Sequence, residues 1–190
     1  SPAQKEYEAA KERLKVLEEE LNRFLAGEYG VKASDKTTYA KWVKSHQPFH
    51  WFVEFYGIVS KGGFDVIIGN PPYVEYSKVR SQYTVLGYST EECGNIYTYV
   101  IERSVALASA SKRLGMIVPS GGFSTARMSS YQDLLCTAFN VAHISYFSGD
   151  ANPSRLFEGV KYRLAIFFGQ FGNGTSVRFT SKYLKWFAAE

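Results

Sequence analysis

Phe64-Asp65-Val66-Ile67-Ile68-Gly69-Asn70-Pro71-Pro72-Tyr73 decides how the rest of the chain is read. Its first six residues form a short β-branched run behind Gly62-Gly63, a glycine pair that reads as a turn. Such a run predicts a buried parallel strand. The next four residues end it abruptly, just past the carboxyl end of the strand, where open α/β sheets hold their ligands. Those four suit one task, the gripping of an amino group on a flat ring. The side-chain oxygen of Asn70 accepts one N–H bond. Pro71 and Pro72 have fixed φ and no N–H of their own, so the backbone stays extended and a main-chain carbonyl is free to accept the other. Tyr73 then offers a ring face for stacking. Two acceptors on one amino group draw its lone pair out of conjugation and make the nitrogen a better nucleophile toward an electrophilic methyl group. Most of that catalysis is positioning and electrostatics. A strand-terminating turn followed by a core tyrosine is the plainer reading of the same residues. Any planar NH₂ group, on a base or on a glutamine side chain, satisfies the two acceptors.

Upstream of the decisive strand the chain reads as a helical hairpin over residues 1–60. Residues 3–27 carry Tyr7, Ala10, Leu14, Leu17, Leu21 and Phe24 three and four apart, an apolar stripe on an otherwise charged helix. Gly27 and Gly30 supply stop signals. A second helix starts near Ser34-Asp35, either of which can cap it, and ends before Pro48. The stripe is expected to pack on the domain's own core rather than in a coiled coil with a partner. Phe49-His50-Trp51-Phe52-Val53-Glu54-Phe55 follows, dense in rings.

Downstream, residues 61–190 read as a strand and helix alternation. Residues 74–94 form a long polar loop, the kind that is usually functional. Ile96–Ala110 is a helix with Tyr97, Val100, Ile101, Val105 and Ala108 inward, and Leu114–Val118 is a second buried strand closed by Pro119. A helix over Ser129–Phe139 and strands over Val141–Phe147, Tyr162–Phe168 and Val177–Thr180 complete the set. Asn173-Gly174 reads as a hairpin turn. This order predicts the α/β class, with a partly parallel sheet.

Composition narrows the field. The 190 residues carry a net charge of +4, with 45% hydrophobic and 21% charged residues, as in an ordinary globular chain. No apolar run reaches the ~18–20 residues that span a bilayer. Ser1-Pro2-Ala3-Gln4-Lys5 lacks the apolar core of a signal peptide, and a cytoplasmic, reducing home is the default. Cys93 and Cys136 have no metal-ligand spacing, and His46, His50 and His143 read as structural. The 14 Tyr, 14 Phe and 3 Trp exceed the needs of a core this size and leave rings for a flat ligand. The last forty residues hold six basic side chains against two acidic ones, a surplus equal to that of the whole chain and compatible with a phosphate-facing side.

At residues 64–73 the chain resembles the catalytic motif of the adenine-N6 DNA methyltransferases that use S-adenosylmethionine. Stretches further on resemble the same family in the same order. Asn95–Arg103 is similar to the helix after the catalytic loop, Arg113–Pro119 to the next strand, and Leu156–Lys161 to a late loop whose aromatic residue contacts the flipped base. Pro48-Phe49-His50-Trp51 resembles the lead-in of large methyltransferases fused to restriction or phage-defence modules, which are bacterial or archaeal. The resemblance spans roughly residues 48–170. It implies a partial Rossmann-like sheet, the second half of a methyltransferase domain, acting on double-stranded DNA. Asn70 and the Pro71 carbonyl would hold the adenine amino group, with Pro72 keeping the turn extended and Tyr73 stacked on the base. Phe157 would touch the base from another side, and Lys161 and Arg163 would meet phosphate. Tyr97 and Met116 are core candidates that would otherwise line the cofactor pocket. A base taken from a duplex must first be flipped out, at a few kcal/mol.

The family's Gly-rich turn after a first strand is not found upstream of residue 64, and Ser120-Gly121-Gly122-Phe123 reads as a loop. A longer protein is therefore expected, with a target-recognition region elsewhere and weak cofactor binding by this stretch alone. An exposed sheet edge at the first strand is expected too, and it favours dimerisation. A methyltransferase acting on a protein glutamine or an RNA base, and a partner-binding scaffold without catalysis, remain as alternatives.

Overall fold

The structure is a computed structural model, and it describes residues 2–149, 156–157, 161–172 and 174–184. The chain divides into two units, Ser1–Lys61 with Val79–Leu86, and Gly62–Lys78 with Gly87–Glu190.

The first unit is helical. Helix α1 spans Pro2–Glu28 and α2 spans Lys36–His46. Asp35 caps α2, its carboxylate accepting from the Thr37 and Thr38 amides at 3.1 Å each and from the Thr38 hydroxyl at 2.6 Å. Gly30 ends α1 in the left-handed region at φ 72°, and the Val31 amide returns to the Ala26 carbonyl. Trp42 is the buried centre of this unit, tilted on Tyr29 and stacked on Tyr39 and His46. The α1 stripe does not pack on a core as expected. Ala26 is the buried residue of this helix, whereas Tyr7, Leu14, Leu17 and Phe24 are exposed. Single-turn helices α3 (Trp51–Glu54) and α4 (Tyr56–Val59) follow. Their rings are not core either; Phe49, Trp51 and Phe55 cluster on one another at the surface.

The second unit is a five-stranded mixed sheet, with strands β1 (Phe64–Gly69), β2 (Ala108–Pro119), β3 (Val141–Phe147), β4 (Leu164–Gln170) and β5 (Val177–Leu184) in the order β1-β2-β4-β3-β5. Helix α5 (Ile96–Leu107) is the crossover between parallel β1 and β2, and α6 (Ser129–Ala138) links β2 to β3. Strand β4 runs antiparallel between β2 and β3. Three sequence expectations change here. Helix α5 stops at Leu107 and the chain enters β2 at once, so Ala108 is strand rather than helix. Strand β5 pairs with β3 in parallel, so the segment around Gly174 crosses over β3 and is not a hairpin turn; Asn173 lies outside the described residues. Strand β1 is an edge strand open on one face, with Val66 57% and Ile68 77% exposed, and so it is not the buried strand its apolar run predicts.

Helices cover one face of the sheet. Leu114, Met116 and Val118, two apart on β2, pack with Phe167 of β4, Tyr97 and Ile101 of α5, and Tyr131 and Leu135 of α6. The opposite face carries a row that follows the register from strand to strand: Ile68, Gly115, Phe168, His143 and Phe179. His143 and Phe179 stack at 4.5 Å and 13°. Two glycines fix the geometry at the sheet's margins. Gly63, at φ 104°, brings its backbone against the end of α5, where a Cβ would lie 2.3 Å from the Leu107 carbonyl oxygen. Gly169 backs onto the Phe139 ring, which a Cβ would meet at 2.4 Å. Among the described residues no helix is long and apolar enough to cross a membrane.

Gly169→Ala forces that methyl into the Phe139 ring, which is itself held by Phe167 and Phe171. Overpacking of this kind costs ~1–3 kcal/mol or more. A urea titration read by circular dichroism should show a lower midpoint with an unchanged slope.

Candidate functional site

The site begins where β1 ends. The parallel register sets Gly69 beside Met116, so residues 70–73 emerge level with Ile117–Pro119 at the carboxyl end of β2. Asn70 is exposed, the Pro71 ring is buried and Pro72 is exposed. The chain then turns back, and Tyr73 packs half-buried against the core cluster. Its hydroxyl lies within hydrogen-bond reach of two acceptors, Asn70 Oδ1 and the Ile117 carbonyl, the latter at 3.0 Å. One phenolic proton serves one of them at a time. Donated to Asn70, it fixes the amide plane and takes one of the two lone pairs on Oδ1, leaving the other for a ligand. Burial pushes the Tyr73 hydroxyl up to about 12, so it remains a neutral donor across the ordinary pH range.

A clasp holds the next three residues. The Tyr76 amide donates to the Gly94 carbonyl and the Ile96 amide to the Val74 carbonyl, both at 2.9 Å, with Glu75 and Asn95 opposed as an antiparallel bridge. Asn95 is also the N-cap of α5 and donates from its amide to Glu75 Oε1 at 3.3 Å. Arg127, on the loop between β2 and α6, meets the Glu75 carboxylate with both terminal nitrogens at 2.9 and 3.3 Å. That hydrogen bond holds the Glu75 carboxyl below its ordinary value and the Arg127 guanidinium above its own. The pair therefore stays ionised, and it ties the Asn-Pro-Pro-Tyr loop to the β2–α6 loop.

Between these loops lies a cavity of about 210 Å³, lined by Tyr73, Glu75, Asn95, Tyr97, Gly122, Arg127, Tyr162 and their neighbours. Sites that enclose drug-sized ligands run to ~300–1,000 Å³. This one has room for a single planar ring and not for a nucleoside-sized methyl donor beside it, so S-adenosylmethionine is not assigned to it. Gly122 is part of the wall for a steric reason: a Cβ there would lie 2.9 Å from the Tyr97 hydroxyl and 3.1 Å from the Tyr131 ring.

Of the residues singled out from sequence, Tyr73 and Tyr97 line the cavity, with the Tyr97 hydroxyl 3.5 Å from Met128 Sδ. Asn70 stands beside it through its bond to Tyr73. Met116 is buried in the core beneath Gly69, where it takes no part in the lining. Phe157 is half-buried and Lys161 exposed, and neither is among the lining residues. Sequence reasoning missed Glu75, Arg127 and Tyr162. Glu75 and Arg127 stand 52 positions apart, and nothing local joins them. Tyr162 carried a weak signal, an aromatic residue heading the strand expected over Tyr162–Phe168, which the structure starts at Leu164.

A sequence profile of the Eco57I restriction-modification methylases matches residues 4–153. The chain belongs to that family. Over 104 residues this chain is 32% identical to a Methanocaldococcus jannaschii protein described as a type II restriction enzyme and methyltransferase, RM.MjaORFECS2P, covering 55% of this chain and 9% of that protein. This chain thus corresponds to a small part of its curated relative. Among solved structures, the cryo-EM structure of the DrdV–DNA complex superposes at a TM-score of 0.51 and 13% identity, over 64% of this chain and 15% of that one, a likeness of fold. A nuclease-deletion mutant of the Type ISP enzyme LlaGI superposes at 0.48 and 14% identity, over 64% of this chain and 14% of that one.

Two outcomes follow from the geometry. Tyr73→Phe keeps the ring and removes the donor shared by Asn70 and Ile117; unfolding by urea should show a loss of about 1 kcal/mol. Glu75→Gln removes the carboxylate held by Arg127. Because the Glu75 value is lowered on folding, its contribution is present above the ordinary glutamate range and lost as pH falls through the lowered value. Both side chains are about half exposed, so the gap between wild type and variant should stay within ~1 kcal/mol at neutral pH and vanish in acid.

Proposed function

We propose that this chain supplies the catalytic loop and target-ring pocket of a DNA methyltransferase that methylates N6 of adenine, within a restriction-modification or phage-defence protein of a bacterial or archaeal cytoplasm. The observation that carries the reading is the exposed Asn70 amide at the carboxyl end of parallel β1, steadied by the Tyr73 hydroxyl beside a cavity of one-ring size. S-adenosylmethionine, when bound, supplies the electrophilic methyl group.

The chain's own residues account for the rest. Asn70 Oδ1 accepts one N–H of the adenine amino group with the lone pair that Tyr73 leaves free, and the Pro71 carbonyl accepts the other. The buried Pro71 ring and the fixed φ of Pro72 hold that carbonyl in place before the ligand arrives, so little reorganisation accompanies the reaction. Both acceptors favour the nitrogen as it gains positive character, and the proton it gives up after attack passes to water. Tyr73 offers its exposed side to the base, and stacking of this kind, worth ~1–3 kcal/mol, offsets part of the cost of flipping. Double-stranded DNA is the partner this reading requires, and Lys161 and Arg163, both exposed, are the phosphate contacts it proposes.

The test uses the full-length polypeptide that carries this sequence. Incubated with S-adenosylmethionine and mixed-sequence DNA, it should yield N6-methyladenine by nucleoside mass spectrometry. Asn70→Ala should lower the yield at least a hundredfold, the scale seen when an electrostatic stabiliser is removed. Methyl groups on a protein glutamine or an RNA base, with DNA unmodified, would replace the DNA assignment.

A further inference from the structure

Helix α1 leaves an apolar seam in water, and the flanks of that seam change sign half-way along it. Tyr7, Ala10, Leu14, Leu17, Leu21 and Phe24 follow one another at unbroken steps of three and four. A stripe this narrow and strict is the seam of a coiled coil, not the broad face of a globular helix. It runs about 26 Å along the helix axis, from the rise per residue. The hairpin engages α1 from behind. Tyr39 of α2 donates from its hydroxyl to Glu19 Oε1 at 3.3 Å, and Ala26 is the buried residue of α1. At 3.6 residues per turn, Glu19 and Ala26 lie on the side of the helix away from the seam. Tyr7 is 64% exposed, Phe24 70%, and Leu14 and Leu17 43% each. A contiguous apolar row left in water marks an interaction surface.

The charges identify what covers it. Lys11 and Arg13 border the first half of the seam, Glu18 and Glu20 the second. Laid against its own copy end for end, the helix presents Glu18 to Lys11 and Glu20 to Arg13. A surface that matches its own reversed copy is what a twofold contact requires. The apolar positions match under the same reversal: Tyr7 falls opposite Phe24, Ala10 opposite Leu21 and Leu14 opposite Leu17, so the small residue meets a large one. In a parallel pair the flanks also attract, Glu6 to Lys11 and Arg13 to Glu18. There, however, Ala10 faces Ala10 across a gap and Phe24 crowds Phe24.

We propose that α1 is a self-association element, through which two copies of this chain pair antiparallel with Leu14 and Leu17 beside the twofold axis. The inference does not depend on the function proposed above. The helix is already formed within its hairpin, so little further ordering opposes the pairing. Burial of the seam supplies the affinity, and the exposed flanking ion pairs set the partner and the orientation.

The experiment follows the mass of the full-length polypeptide by sedimentation velocity over a concentration series. Wild type should pass from monomer to dimer as concentration rises. Leu14→Gln with Leu17→Gln, which keeps helix propensity, should raise the dissociation constant at least about tenfold. Two charge variants provide a second line: Lys11→Glu with Arg13→Glu, and Glu18→Lys with Glu20→Lys. Each alone places like charges across the seam and should stay monomeric where wild type is dimeric. Mixed in equal amounts, they should recover the dimer, because the opposite charges face one another again. Helical circular dichroism equal to wild type shows that each variant is folded. A wild type that stays monomeric throughout overturns the inference. Dimerisation unchanged by the leucine substitutions assigns association to another face and also overturns it. A mixture of the charge variants that remains monomeric excludes a second copy of α1 as the occupant.

Discussion

The parallel pairing of β1 with β2 is the constraint on which the site depends. Five registered positions set Gly69 beside Met116, and the chain leaves β1 at the level where β2 delivers the Ile117 carbonyl. The Tyr73 hydroxyl can reach both the Ile117 carbonyl and Asn70 only because of that level. A slip of one residue would turn every side chain of β1 to the other face and carry Asn70 away from the cavity. Gly63 enforces the starting point, since a Cβ there would run into the Leu107 carbonyl oxygen at the end of α5. The crossover helix, the glycine and the register are thus parts of one device for presenting a single amide.

Around that device the polar groups are arranged in series. Tyr73 orients Asn70; Glu75 is clasped to Asn95 at the head of α5; Arg127 reaches Glu75 from the far loop. Each link is modest by itself, and the Glu75–Arg127 pair is too exposed to matter much to folding. Their value lies in position. Three segments distant in sequence are joined around a space the size of one ring, so the loop that bears Asn70 is ordered before any ligand binds. Pre-ordering of this sort is where positioning catalysis finds its advantage.

Much of the fold was legible because the signals were local. The run Phe64–Gly69, the capping by Asp35, the inward spacing of Tyr97 and Ile101 on α5 and the strand Val141–Phe147 each depend on neighbours within a few residues. The polar start of β2, Ala108–Arg113, looked like helix and loop because pairing with β1 at Ala108 and Arg113, across an irregularity in the register, is not encoded in its own composition. The crossing of β5 to the far side of β3 is likewise set by long-range pairing, which the sequence near Gly174 does not encode. The α1 stripe and the rings of residues 49–55 misled in the opposite direction, since periodicity and aromatic density say that a face is apolar and not that anything covers it. Asn70 and Tyr73 were legible as close neighbours past the end of a strand, which is where the structure has them. Tyr162, Glu75 and Arg127 became visible only when the loops that carry them were brought together.

The uncovered side of the sheet bears on the physical behaviour of the isolated polypeptide. Ile68, Gly115, Phe168, His143 and Phe179 lie in one line across all five strands, and Ile68 and the Phe168 ring close over the glycine at the second place, where a Cβ would meet them at 3.3 and 3.1 Å. Water held over such a row is released when another apolar surface replaces it, and that release grows with temperature before it levels off. Handled alone, this polypeptide should be more prone to self-association on warming than in the cold. Kosmotropic salts should strengthen the tendency, independently of any methyl-transfer chemistry.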